Sequence, residues 1–170
     1  PVQLRKGKRF VIDTALGDKA GTEESVGTSY EGLVNDVDTG DRLLLDDGNI
    51  VLQVEKIEGA AISTRVIVGG ELSDSKGINK LGGGLSAEAL TEKDHEDIRF
   101  AAEIGADYLG VSFVRHGADV ETARMLLRSA GSDAHVVSKI ERREALDNID
   151  EIIAASDVIM VARGDLGVEI

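Results

Sequence analysis

From Pro1 to Glu71 the hydrophobic positions come in short runs divided by turn residues. Arg9–Asp13, Asp41–Leu45, Asn49–Ile57 and Ala60–Val68 are predicted strands, the last closed by Gly69-Gly70. Asp46-Asp47-Gly48-Asn49 stands between two of them and marks a tight turn. Short strands at this spacing predict a small antiparallel barrel or sandwich.

The grammar then changes. Thr91-Glu92-Lys93-Asp94 resembles a capping box, opening a helix that runs to about Ile104. Asp107–Phe113, His135–Ile140 and Asp157–Ala162 are apolar runs of strand length. Between them, Ala118–Ala130 and Arg142–Ala155 read as one helix each. Helices alternating with nearly continuous apolar strands predict a parallel sheet buried on both faces. The expected fold is therefore α/β plus all-β. Residues 1–72 form a β-rich domain, 73–90 a hinge and return loop, and 91–170 a strand–helix domain. The joint within that loop, Ser73–Ser86, is rich in glycine and small polar residues.

Composition narrows the function. The chain of 170 residues is 42% hydrophobic and carries a formal net charge of −13. Gripping nucleic acid or an anionic membrane needs lysine and arginine, so neither is an expected partner. A phosphorylated substrate stays compatible, because a bound divalent cation supplies local positive charge. There is no cysteine, hence no thiolate chemistry. No apolar run approaches the ~20 residues of a membrane helix. The first residues, Pro1 to Lys6, hold no signal-peptide core. A cytoplasmic location is expected.

The candidate chemistry lies where the three predicted parallel strands end. The first ends Val111-Ser112-Phe113-Val114-Arg115, the second Ser138-Lys139-Ile140-Glu141, the third Ala162-Arg163-Gly164-Asp165. Ligands bind at the C-terminal ends of such strands. If the second and third strands are neighbours, Glu141 and Asp165 can converge, and paired carboxylates suit Mg²⁺ or Mn²⁺. Lys139 would steady developing negative charge, and Gly164 would admit a ligand to the backbone. The plainer reading is that these charges cap the helices that follow. Other signals are weaker. The glycines of the joint lack the Gly-Lys-Ser/Thr ending of a phosphate loop. Arg163-Gly164-Asp165 spells an adhesion tripeptide with nothing secreted around it. His95, His116 and His135 have no metal-ligand spacing.

Ser138-Lys139-Ile140-Glu141, followed by the run from Ala155 to Glu169, resembles the active-site signature of the pyruvate kinases. The resemblance extends through Val111–Arg115, Leu90–Asp94, Lys76–Asn79 and Leu45–Gly48, covering Tyr30 to Ile170. Asn79–Gly84 departs from many members, which carry a proline there, and is similar to a bacterial branch. The resemblance implies a partial (β/α)8 barrel with a small β lid. It implies phosphoryl transfer from phosphoenolpyruvate to ADP, giving ATP and pyruvate. On that footing Glu141 and Asp165 are Mg²⁺ (or Mn²⁺) ligands, and Lys139 stabilises the phosphoryl group. Gly164 and Asp165 receive the substrate carboxylate, and Phe113 and Ser112 lie beside the substrate and metals. Asp47 and Lys76 approach the nucleotide. A K⁺ requirement and a homotetramer are family expectations for the parent. The chain is expected to be one segment of a longer enzyme, inactive alone and prone to associate through unpaired strand edges. Two alternatives remain: a Mg²⁺-dependent aldolase or lyase barrel acting on phosphoenolpyruvate or pyruvate, and a non-catalytic binding module.

Overall fold

The computed structural model describes residues 1–17 and 21–170. They divide into two compact units: Pro1–Ala87 with Val168–Ile170, and Glu88–Gly167.

The first unit contains β1 (Val2–Leu4), β2 (Arg9–Asp13), β3 (Ser25–Gly27), α1 (Leu33–Asp36), β4 (Arg42–Leu45), β5 (Ile50–Glu58), β6 (Ala61–Val68), β7 (Gly70–Leu72) and β8 (Ile78–Lys80). Its main sheet has the order β3-β2-β6-β5-β4-β8, and β1 pairs antiparallel with β7. Strand period explains the core. Ile50, Leu52 and Val54 of β5 point inward, with Phe10 and Ile12 of β2 and Ile62 and Val66 of β6. The buried hydroxyl of Thr64 donates to the Phe10 carbonyl at 2.8 Å, which satisfies a group that would be costly to bury unpaired.

Two expectations change here. The sheet is mixed, because β3 runs parallel to β2, whereas an antiparallel barrel or sandwich is predicted. The joint Ser73–Ser86 is not all loop, since β8 lies in it and pairs with β4 as Leu43↔Lys80 to Leu45↔Ile78. The glycine-rich part follows. Gly82, Gly83 and Gly84 all take positive φ (88°, 78° and 91°), a run that residues with side chains resist.

The second unit contains α2 (Glu92–Glu103), β9 (Tyr108–Val111), α3 (Gly117–Ser129), β10 (His135–Ile140), α4 (Arg143–Asp147), α5 (Ile149–Ala155), β11 (Val158–Val161) and all but the last two residues of α6 (Arg163–Glu169). The sheet order is β11-β10-β9, with both pairings parallel. Thr91 caps α2: its side chain accepts from the Asp94 amide, and Asp94 Oδ2 accepts from the Thr91 amide at 2.7 Å, as the sequence predicts. On α3, Gly117, Val120, Ala123 and Leu127 form the buried stripe. They pack with Val136 and Ile140 of β10 and Ile152 of α5.

The expected single helix over 142–155 is two. Asn148 breaks it at φ −113°, ψ 20°. Its side-chain amide donates to the carbonyls of Arg115 (3.0 Å) and Glu144 (3.1 Å), so a side chain takes over carbonyls at the interruption. Asn is suited to this competition with helix bonds.

Candidate active site at the C-terminal strand ends

Central position in the sheet places β10 beside both other strands. Its register, Ser138↔Val111 on one side and Ile140↔Val161 on the other, brings all three C-terminal ends together. Lys139 and Glu141 are two residues apart, so strand alternation sends them to the same side. Their side chains meet: Lys139 Nζ lies 2.6 Å from Glu141 Oε1. The same ammonium donates to Ser112 Oγ at 2.9 Å. Glu141 is 2% exposed and Lys139 28%. Burying a carboxylate needs a paired charge and further hydrogen bonds, and both are supplied here.

The second oxygen, Glu141 Oε2, accepts the backbone N–H of Phe113 at 2.8 Å. Phe113 has φ +55°. A bulky side chain in the left-handed region is strained, and this conformation accompanies the amide's bond to the carboxylate. The residue as a whole is 45% exposed. The role of the Phe113 amide is not legible in the sequence, where a glycine would have been the signal.

Asp165 is half-buried in the first turn of α6, beside the exposed Gly164. Among the described residues no group of three or more His, Cys, Asp or Glu is arranged to hold a metal. Carboxylate oxygens such as those of Glu141 and Asp165 are the donor type that Mg²⁺ takes, usually one or two together with water and substrate oxygens.

In the first unit, the predicted turn joins β4 and β5 as a four-residue loop between the paired Leu45 and Ile50. Asp46 and Asp47 have φ 53° and 54°. Lys76 pairs with Asp46 Oδ1 at 2.7 Å, whereas Asp47 is exposed. The Lys76 hydrogen bond, helped by Asn49, holds the Asp46 carboxyl below its ordinary pKa, and Asp46 holds the Lys76 ammonium above its own. A second polar cluster escaped sequence reasoning. Asp36 accepts from the Tyr30 hydroxyl, from the Ser86 amide at 2.7 Å and from Ser86 Oγ at 2.8 Å. Burial opposes its charge, but these bonds and the nearby Lys80 hold its pKa below the ordinary value.

A parallel sheet with a lysine paired to a buried glutamate at its C-terminal edge defines a class: strand–helix enzymes that bind ligands at that edge. The family described as "Pyruvate kinase, barrel domain" matches residues 1–170, and the chain belongs to the pyruvate kinase family. It is 58% identical over 172 residues to "Pyruvate kinase II" of Salmonella typhimurium, covering 99% of the chain and 36% of that protein. Over 170 residues it is 57% identical to a pyruvate kinase of Haemophilus influenzae, covering 98% of the chain and 36% of the relative. A pyruvate kinase of Mycobacterium tuberculosis is 44% identical over 159 residues, covering 94% and 34%. The resemblance is to the bacterial type, and the chain spans about a third of the length of these relatives. No helix among the described residues is long and apolar enough to cross a membrane.

Proposed function

We propose that the protein carrying this chain transfers a phosphoryl group from phosphoenolpyruvate to ADP, and that this chain supplies the lysine and two carboxylates of the site. The observation that carries the reading is the Lys139 ammonium held between Ser112 Oγ and the buried Glu141 at the edge of three parallel strands. Phosphoryl transfer asks chiefly for positioning and charge stabilisation. Lys139 donates to the phosphoryl oxygens as charge shifts between them. Glu141 and Asp165 hold Mg²⁺ or Mn²⁺, which when bound neutralises phosphate and enolate charge. Gly164, lacking a side chain, and the neighbouring backbone receive the substrate carboxylate. Phe113 and Ser112 border the substrate. Asp47 and Lys76 reach the nucleotide from a lid formed by the β-rich unit. K⁺ binding, a homotetramer and a cytoplasmic site of action belong to the same reading of the whole enzyme.

The test is pyruvate formation from phosphoenolpyruvate and ADP by the full-length protein, wild type against Asp165→Asn. A fall of roughly 10²-fold or more is expected, the scale of losing one preorganised electrostatic group. Wild-type protein that turns over phosphoenolpyruvate without needing ADP would refute the reading.

A further inference from the structure

We propose that Lys139 is the resident cation of the Glu141 carboxylate, and that a divalent ion entering the site must displace it. This deepens the reading above and rests on Glu141 and Asp165 being the metal's ligands.

The two oxygens of Glu141 have different partners. Oε2 is held by a backbone amide, that of Phe113, at 2.8 Å. A backbone donor is fixed by the chain and cannot swing aside. Oε1 is held by an ammonium at 2.6 Å on a four-carbon stem, and such a stem rotates readily. The carboxylate is almost wholly buried, so without a cation it would be an uncompensated charge. A divalent ion on Oε1 would stand within a few ångströms of the ammonium, and two positive centres that close repel strongly where solvent is scarce. The ammonium therefore leaves as the ion arrives. Ser112 Oγ, already 2.9 Å from Nζ, gives it a place to remain while it parts from Glu141. The lysine thus changes partner with metal loading. Before loading it neutralises Glu141; afterwards it is available to an anionic ligand.

The experiment loads the full-length protein with Mn²⁺ alone, without substrate. Bound ion is counted by electron paramagnetic resonance, and acylation of Lys139 by a small anhydride is followed by peptide mass spectrometry. Lys139 labelling should rise severalfold and saturate with the same Kd as the ion. Lys139→Met should bind Mn²⁺ at least tenfold more tightly than wild type, and Lys139→Arg much less so. Labelling that stays flat while Mn²⁺ saturates its site overturns the displacement. Because that arm uses unaltered protein, it decides even if Lys139→Met fails to fold. Asp165→Asn separates the two ideas. If it leaves Mn²⁺ affinity unchanged, the metal-site reading itself falls; if it weakens Mn²⁺ while Lys139 labelling in wild type is flat, only the displacement falls.

Discussion

Asp157, just ahead of β11, joins three elements with one carboxylate. Its Oδ2 accepts the Val136 amide at 2.7 Å and Arg124 Nη1 at 2.8 Å, and the other arm of Arg124 donates to the Ala155 carbonyl at 2.6 Å. These bonds lie at the N-terminal end of the sheet, away from the strand ends that carry Lys139 and Glu141. Conserving structure there supports stability rather than chemistry. Asp157→Ala leaves the amide of the fully buried Val136 without its acceptor, at about 1–3 kcal/mol. The ion pair, with Asp157 31% exposed, adds at most about 1 kcal/mol. The expected loss is about 2–3 kcal/mol at pH 7. Hydrogen exchange of peptides spanning β10 and β11 reads it for this unit separately. The pH dependence has a definite sign. The Val136 amide and Arg124 hold the Asp157 pKa below its ordinary 3.8. The stabilisation is therefore complete above that ordinary value and is lost as pH falls through the lower folded one. The difference between wild type and Asp157→Ala should stay level from pH 7 to about 5 and shrink below about 4. A difference under about 0.5 kcal/mol at pH 7, the range of ordinary surface changes, would refute the reasoning.

Three other outcomes are expected. A Cβ on Gly117 would stand 2.9 Å from the Glu151 carbonyl oxygen, so Gly117→Val should cost about 1–3 kcal/mol in a urea melt, and wild-type stability would contradict the close approach of α3 to α5. Thr91→Ala removes the acceptor for the Asp94 amide and should lower stability by about 1 kcal/mol, with faster exchange confined to the first turn of α2. Asp36→Ala removes the acceptor of the Ser86 amide, so exchange at Ser86 should quicken by roughly tenfold or more, and unchanged exchange there would show that the cluster does not hold this segment.

Much of the fold was legible because long, regular patterns dominate it. β5, β6 and β10 carry enough alternating or continuous apolar residues to declare themselves, and the Thr91–Asp94 box announces α2. The strands β1, β3, β7 and β8 have three residues each. That is too short for a period to show, and partners distant in sequence decide their pairing. The break at Asn148 depends on the Arg115 carbonyl, 33 residues away, which local composition cannot reveal. In the candidate site, Lys139 and Glu141 were legible as charged residues at a strand end, but the sequence set Glu141 against Asp165, whereas the structure pairs it with Lys139. Phe113 was named only through the family resemblance, as a neighbour of the substrate, whereas the structure gives its backbone amide a partner. At the turn, Asp46 and Asp47 are equivalent to a sequence reader, and only the backbone path decides that Asp46 receives Lys76.

The β4–β5–β6 meander also sets an order of events in folding. Its two connections are a four-residue loop and the two residues Gly59-Ala60 between the paired Glu58 and Ala61. Closing such loops takes little chain entropy and is fast. Pairing Val2 with Leu72 must instead enclose nearly all of that unit. Local hairpins should therefore form the nucleus, with β1 docking late, so that substitutions near Gly59 alter the folding rate while those in β1 alter mainly the unfolding rate.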